Sequence, residues 1–252
     1  MTFDHPTKST FPQLLTLWKE AFGDWDGFWE TFLETGFAPE RCRCVTEAGE
    51  ITAALTWLNC SCHHDKMAYI YAVVTNPAHR GRGLCRRLLA DTHSLLKERG
   101  YSAALLVPAD PGLRAMYEKL GYKTCTFAEE FTCEARSESL SVRAVGPEEF
   151  VRLRREFLPG GSVLQEAENI PFLARQAQFY AGDDFLLTAW CDDEQLTGME
   201  LLGNKTAAPG ILRALGAKKG SFRCPGSKIP FAMMHPLRDD SVTPSYLGFA
   251  FD

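Results

Sequence analysis

The sequence predicts an α/β (α+β) fold: a mixed central sheet flanked by helices, followed by a second, smaller α+β lobe. Three observations carry this. The chain has 252 residues, which at about 150 residues per domain suggests one large domain or two small lobes. Between Tyr69 and Tyr122, strand-like and helix-like runs alternate, which implies right-handed crossovers and a mixed sheet. From Leu140 the order strand, two helices, hairpin starts again.

The first segment reads as two short helices. Leu14, Leu15, Trp18, Ala21 and Phe22 recur at helical spacing after Thr10 and Pro12. Asp24 is expected to cap a second helix that holds Phe28, Phe32 and Leu33 and ends at Gly36. The pair is rich in aromatics, which suits core packing and also suits the wall of an acceptor pocket. Cys42–Thr46 and Ile51–Leu58 flank a Gly-containing turn and predict a hairpin. Tyr69–Thr75 is apolar on both faces, as a central buried strand should be. A helix is expected from about Leu84 to Arg99, closed by Gly100, and then a strand over Ser102–Val107. Asp110 can cap the following helix, with Pro111 at its first position. Tyr122–Phe127 and Glu130–Ala135 read as two final strands of this half.

The polar stretch near Arg136 sets the expected boundary, with domains over 1–138 and 139–252. The second half reads as a strand over Leu140–Ala144, helices near Pro147–Phe157 and Gln165–Tyr180, and a hairpin of Phe185–Cys191 with Gln195–Leu202. A short helix from Ile211 to Leu215 and strands near Phe231–His235 and Tyr246–Phe251 finish it.

Composition narrows the function. Net charge is −5, and a split at Arg136/Ser137 leaves −2 and −3, so neither half is a basic block suited to nucleic acid. No apolar run reaches the roughly 18 residues of a membrane span, and Met1–Lys8 lacks the apolar core of a signal peptide. A soluble cytoplasmic protein is expected, without membrane or nucleic-acid partners. The nine cysteines are then expected to be reduced thiols. Cys42, Cys44, Cys60 and Cys62 follow CxC spacing inside strand-like runs, which suits small core hydrophobes better than a metal site, so no metal is expected. His63 and His64 lie in a polar turn and read as solvated.

The informative stretch is Val73-Val-Thr-Asn-Pro-Ala-His-Arg80-Gly-Arg-Gly-Leu-Cys85. It reads as a buried strand, a tight glycine turn and the start of a helix. The first turn of a helix offers unsatisfied N–H groups and the positive end of a dipole. Glycines let the backbone approach a ligand closely. Such a turn binds phosphate groups. It is neither a Walker loop nor a dinucleotide fingerprint, because GxxxxGK[ST] is absent and Arg86 stands where the third glycine belongs.

This segment resembles motif A of GNAT-superfamily acyl-CoA N-acyltransferases, R/Q-x-x-G-x-G/A, with Arg80, Gly83 and Cys85 on its fixed positions. Cys85 departs from the usual Gly or Ala. Asp110-Pro-Gly-Leu-Arg-Ala-Met-Tyr117-Glu-Lys-Leu-Gly121-Tyr122 resembles motif B, with Asp110 and Leu113 in place of Asn and Ala. The resemblance covers about the first 135 residues and implies a GNAT-like sheet.

The resemblance implies an acetyl-CoA-dependent N-acetyltransferase acting on a primary amine. Acetyl-CoA would bind along Val73, Val74 and Thr75, with its diphosphate over Arg80, Gly81, Arg82, Gly83, Leu84 and Cys85. A backbone N–H near Val74 would stabilise the oxyanion. Tyr117 would be the general acid, a role a phenol with an ordinary pKa near 10 can fill at neutral pH. The strand before motif A carries no carboxylate, so the base is open. Asp252 is one candidate, because certain tandem-lobed relatives are thought to use a C-terminal carboxylate. The second half lacks the glycine-phosphate turn, so it reads as a degenerate GNAT-like lobe without its own acetyl-CoA site. Its pairs Asp183-Asp184 and Asp192-Asp193 read as solvated. A non-catalytic acyl-CoA-binding protein is the alternative. The acceptor, small or peptidic, and the oligomeric state stay open.

Overall fold

A computed structural model describes residues 1–24, 27–137 and 140–251. In chain order its elements are β1 (Thr2–Asp4), α1 (Phe11–Phe22), α2 (Phe28–Thr35), β2 (Cys42–Glu47), β3 (Glu50–Cys62), β4 (Asp65–Thr75), α3 (Leu84–Glu98), β5 (Ala103–Leu106), α4 (Pro111–Glu118), β6 (Lys123–Thr124) and β7 (Phe127–Glu134). They continue as β8 (Arg143–Ala144), α5 (Pro147–Phe157), α6 (Asn169–Leu173), β9 (Gln178–Ala181), β10 (Phe185–Asp192), β11 (Gln195–Gly203), α7 (Ala208–Ala214), β12 (Lys219–Pro225), β13 (Ile229–Pro230) and β14 (Met233–Pro236). The chain forms two compact units. One is Met1–Lys123 with Met234–Val242, the other Thr124–Met233 with Thr243–Asp252.

The first unit is built on a sheet of order β1-β2-β3-β4-β5-β14-β6. The strands from β1 to β4 pair antiparallel, and β4 pairs β5 in parallel. This is the mixed sheet that the strand–helix–strand order predicts, because a parallel pair requires a crossover, here α3. Ala48 and Gly49, at φ 49° and 86°, make the two-residue turn between β2 and β3, a conformation whose twist matches the strands. Ile51–Leu58 in β3 are buried without alternation, as in a strand covered on both faces. Leu84, Leu88, Leu89 and Leu96 form the buried stripe of α3. On α1, Leu14, Leu17 and Trp18 are buried, and Trp18 stacks on Trp29 of α2 with centroids 5.3 Å apart.

Two details of this unit depart from expectation. Asp24 does not cap α2. Its carboxylate pairs with Lys19 at 2.7 Å, and Gly27, at φ 69°, takes the capping position. The strand expected near Phe231–His235 forms as β14, but it lies in the first sheet, between β5 and β6. The segment after it is tied in place there. Leu237 N–H donates to the Ser102 carbonyl at 2.8 Å, and Arg238 pairs with Asp65 at 2.8 Å.

The second unit has a sheet of order β13-β7-β12-β11-β10-β9-β8. Its core includes Phe185, Leu187, Leu196, Leu201, Ile211 and Phe222. Glu130–Ala135, read from sequence as the final strand of the first half, falls largely in β7, which pairs here with β12, and the second unit begins at Thr124. The boundary drawn at 138/139 itself lies outside the described residues. The long helix expected over Gln165–Tyr180 is not formed. Only Asn169–Leu173 is helical, and Gln178–Ala181 is strand. The reason is the period. Phe179 and Ala181 are buried, while Gln178 is exposed, which is the alternation of a strand. β12, parallel to β11, was not expected from sequence.

The expected strand over Tyr246–Phe251 is a buried segment that meets Ser162 by one isolated bridge at Tyr246 rather than a ladder member. Gln165 replaces a neighbouring strand: its Nε2 donates to the Phe249 carbonyl at 2.7 Å, and its Oε1 accepts from the Phe249 N–H at 2.9 Å. Beneath this segment Arg154 and Glu200, both buried, form a two-pronged ion pair at 2.7 and 2.9 Å. Gly248 passes so close to the pair that a Cβ there would lie 1.8 Å from Glu200 Oε1.

Candidate functional site

The sequence pointed to the end of β4 and the start of α3. The pairing of β4 with β5 covers Met67–Tyr69 against Ala103–Leu105, while β4 itself continues to Thr75. Ile70–Thr75, with Val73, Val74 and Thr75 at its end, therefore run on beyond that ladder. On the other side β4 stays paired with β3, with Val74 opposite Ala54 and Thr75 opposite Ala53. Between these pairs and Tyr71 the register slips: Ala72 and Val73 face Leu55 alone, a β-bulge. Ala72 sits at φ 49°, a conformation that costs an L-residue about 1–2 kcal/mol. Trp18 Nε1 donates to its carbonyl at 3.0 Å and holds the bulge.

The turn follows at once. Pro77–His79 form a single 3-10 turn capped by the Asn76 side chain, which accepts from the Ala78 N–H at 3.0 Å. Gly81 and Gly83 take φ 76° and 72°. An added Cβ at either would point into open space, so the conformation, not crowding, calls for glycine here. Gly83 is the N-cap of α3. No side chain caps that end, and its first turn holds no acidic residue. The N–H groups of Leu84 and Cys85 thus open a helix of 15 residues whose dipole favours an anion.

The arginines divide in role. Arg82 turns back to the β2–β3 hairpin, where it bonds Glu47 at 2.7 Å and His79 Nδ1 at 2.6 Å. His79 in turn lies 3.6 Å from Glu50. These contacts brace the turn and occupy the Arg82 head. Arg80, Arg86 and Arg87 are exposed.

Tyr117 lies on α4, whose start is capped as expected: Asp110 Oδ1 accepts from the Leu113 N–H at 2.8 Å. The phenol is buried. Burial, and then electrostatic coupling to Cys85, push its pKa well above the ordinary tyrosine value, so it holds its proton firmly. Burial also pushes the Cys85 thiol up to about 11, which makes it a neutral side chain rather than a nucleophile. Asp252 lies outside the described residues.

Behind Tyr117 stands a set of rings of which the sequence marked only Tyr122, at the end of motif B. Tyr122 packs edge-on against Tyr117 with centroids 5.7 Å apart. His93 Nε2 bonds the Tyr122 hydroxyl at 2.8 Å, and His235 stacks on His93 at 4.2 Å and 14°. His93 follows Leu89 at helical spacing and was available as a signal. His235 had no sequence signal at all. The CxC cysteines are buried, with Cys42 and Cys44 sulfurs 4.0 Å apart. Among the described residues no group of three or more His, Cys, Asp or Glu is placed to hold a metal ion.

Residues 2–125 match the family described as acetyltransferase (GNAT) domain. Over these residues the chain is a GNAT acetyltransferase. Solved GNAT structures share the fold over almost the whole chain. A GCN5-related N-acetyltransferase from Kribbella flavida is 19% identical, with a TM-score of 0.72 over 92% of this chain and 70% of that chain. A GCN5-related N-acetyltransferase from Anabaena variabilis is 15% identical, with a TM-score of 0.74 over 94% and 73%. A tandem GNAT protein from the clavulanic acid biosynthesis pathway is 14% identical, with a TM-score of 0.56 over 95% and 99%. The second unit of this GNAT protein accordingly fits the two-lobed architecture. No curated protein matches the chain in sequence. GNAT domains bind an acyl-CoA donor, and no helix among the described residues is long and apolar enough to cross a membrane.

Proposed function

We propose that this acetyltransferase uses acetyl-CoA and transfers its acetyl group to a primary amine. One observation carries the reading: β4 runs on past its pairing with β5 and leads directly into a glycine turn at an uncapped helix start. The residues present fit the donor. Val73, Val74 and Thr75 offer main-chain groups for the amide-bearing pantetheine arm, by the logic of strand addition. Gly81, Gly83, Leu84 and Cys85 offer backbone N–H groups for the diphosphate, and Arg80 offers a charge for its oxygens.

The chemistry asks an amine to attack a thioester carbonyl and a thiolate to leave. The backbone near Val74, shaped by the bulge at Ala72, is the candidate oxyanion donor. Tyr117 holds its proton throughout the neutral range and is the candidate acid for the departing sulfur. Asp252 remains the proposed base, with the preceding Phe249 clamped by Gln165. Deletion of Asp252 that leaves kcat unchanged on the true acceptor removes it. All nine cysteines are free thiols, which supports a reducing, cytoplasmic setting. The second unit follows β11 with Asn204, a 3-10 turn and α7 of only 7 residues. This supports a single donor site in the chain, carried by the unit that holds Met1–Lys123, with the other unit as the degenerate lobe.

The deciding experiment is acetyl-CoA binding by calorimetry, with Gly83→Glu as the control. Ligand at about 100 times its Kd should also stabilise the fold by about 2.7 kcal/mol. Binding that Gly83→Glu abolishes supports the reading. A folded wild type that binds no acetyl-CoA overturns it. Turnover is then sought with a panel of a polyamine, an aminoglycoside, free amino acids and a peptide N-terminus.

A further inference from the structure

The rings of His93, Tyr122 and His235 stand behind the candidate acid, and their chemistry exceeds what filling space requires. Tyr122 is buried, yet it carries a hydroxyl, and that hydroxyl meets His93 Nε2 at 2.8 Å. Apolar residues would fill the volume without the cost of burying polar groups. What the polar contact adds is direction: it fixes the Tyr122 ring, where an apolar contact would let it shift. Burial also pulls both imidazoles below their ordinary pKa, with His235 adding to the effect on His93.

The third ring comes from far along the sequence. β14 carries His235 into the first sheet, and its ring lies 4.2 Å from His93 and 5.3 Å from Tyr122. It also lies against Gly121, where an added Cβ would be 3.0 Å from His235 Nδ1. Gly121 joins α4 to Tyr122 at φ 87°, and the Tyr122 N–H donates back to the Tyr117 carbonyl at 3.1 Å. His235 therefore lies against the turn directly after Tyr117, and His93 holds the ring that packs against it.

We propose that His93 and His235 are positioning residues for Tyr117, acting through Tyr122 and Gly121 to set where the Tyr117 hydroxyl points. The proposal rests on the reading of Tyr117 as the acid. No proton passes along the stack, and neither histidine touches substrate.

The test uses the full chain, acetyl-CoA and the fastest amine of the panel above, with release of the CoA thiol as the readout. Tyr117→Phe is measured first. Tyr122→Phe, His93→Phe and His235→Phe should each lower kcat by about tenfold, the effect of losing one orienting contact worth about 1.4 kcal/mol. The Kd for acetyl-CoA should stay within about twofold of wild type. His93→Gln, whose amide can still meet the Tyr122 hydroxyl, should recover most of the rate. Added to Tyr117→Phe, His93→Phe should cost little more, because its effect runs through the missing hydroxyl. If Tyr117→Phe leaves the rate unchanged, or no amine turns over, the acid reading fails and this proposal with it. If Tyr117→Phe slows turnover while the ring variants lower only Tm, or add their full cost to Tyr117→Phe, the stack is structural and the proposal alone is overturned.

Discussion

Trp18 Nε1 donates to the carbonyl of Ala72 at 3.0 Å, so the first helix of the chain holds the one bulge in its central strand pair. The contact links an aromatic core to the site. Trp18 is fully buried and stacks on Trp29, while Ala72 keeps a strained φ of 49°. Trp18→Phe keeps the ring in the core and removes the hydrogen bond. It should cost about 1 kcal/mol of stability and weaken acetyl-CoA binding. Thermal unfolding and calorimetry on the same sample check the two effects. A stability loss with unchanged affinity would mean that the bulge does not shape the donor site.

Tyr117→Phe should lower kcat while leaving acetyl-CoA affinity unchanged. The side chain is buried and protonated, which suits the proposed role in the leaving step rather than one in donor binding. About two orders of magnitude is the expected loss for a general acid partly replaced by water, at the low end of about 10²–10⁴. Steady-state kinetics with chemistry limiting decide it. An unchanged rate removes Tyr117 from the mechanism.

Gly121→Ala should destabilise the first unit by about 1–2 kcal/mol from its positive φ alone. The close approach of His235 adds to this, because the new Cβ would stand 3.0 Å from its ring. Pairing Gly121→Ala with His235→Ala relieves the crowding and leaves the backbone strain. Denaturant midpoints of the single and double variants measure the difference, and equal midpoints would show that the ring exerts no pressure.

Acid should destabilise the protein through its half-buried imidazoles. His93 falls from an ordinary 6.5 to about 3 through burial and then His235. The unfolded chain therefore binds a proton that the folded chain refuses. That stability is present above pH 6.5 and is lost as pH falls toward about 3, at up to about 1.4 kcal/mol per pH unit for this one group. His93→Phe should flatten the pH dependence in this window. A urea series from pH 7 to pH 4 tests it, and parallel curves for wild type and variant would refute it.

Breaking the Arg154–Glu200 pair should be costly in the second unit. Both side chains are buried, at 2% and 1% exposure, so Arg154→Met leaves an uncompensated carboxylate and should cost about 3–5 kcal/mol. Arg154→Met with Glu200→Leu should recover most of that, since a well-packed apolar pair is close to neutral. Unfolding of the double variant no easier than wild type would show that the pair is kept for a purpose other than stability.

The site was more legible than the fold around it. Motif A spans neighbouring residues, Arg80 to Cys85, and its geometry is local: a strand end, two positive-φ glycines and a helix start. Asp110 likewise caps α4 through a residue three positions on, Leu113. Local rules reach that far. They failed over Gln165–Tyr180, where the sequence suggests one helix although Phe179 and Ala181 follow strand alternation. They failed also at Asp24, whose carboxylate found Lys19 instead of a helix end.

By itself the sequence determined the glycine turn before α3, the hairpins, the buried stripe of α3 and the helix that carries Tyr117, because each depends on contacts within a few residues. Only the tertiary structure decided that Phe127–Glu134 pairs in the second sheet, that β14 returns to the first, and that Gln165 stands in for a strand beside Phe249. The same holds for His235. Its place beside Gly121 depends on a pairing between distant strands, whose partners are chosen by burial and hydrogen bonding across the whole chain and leave no periodic mark in either segment.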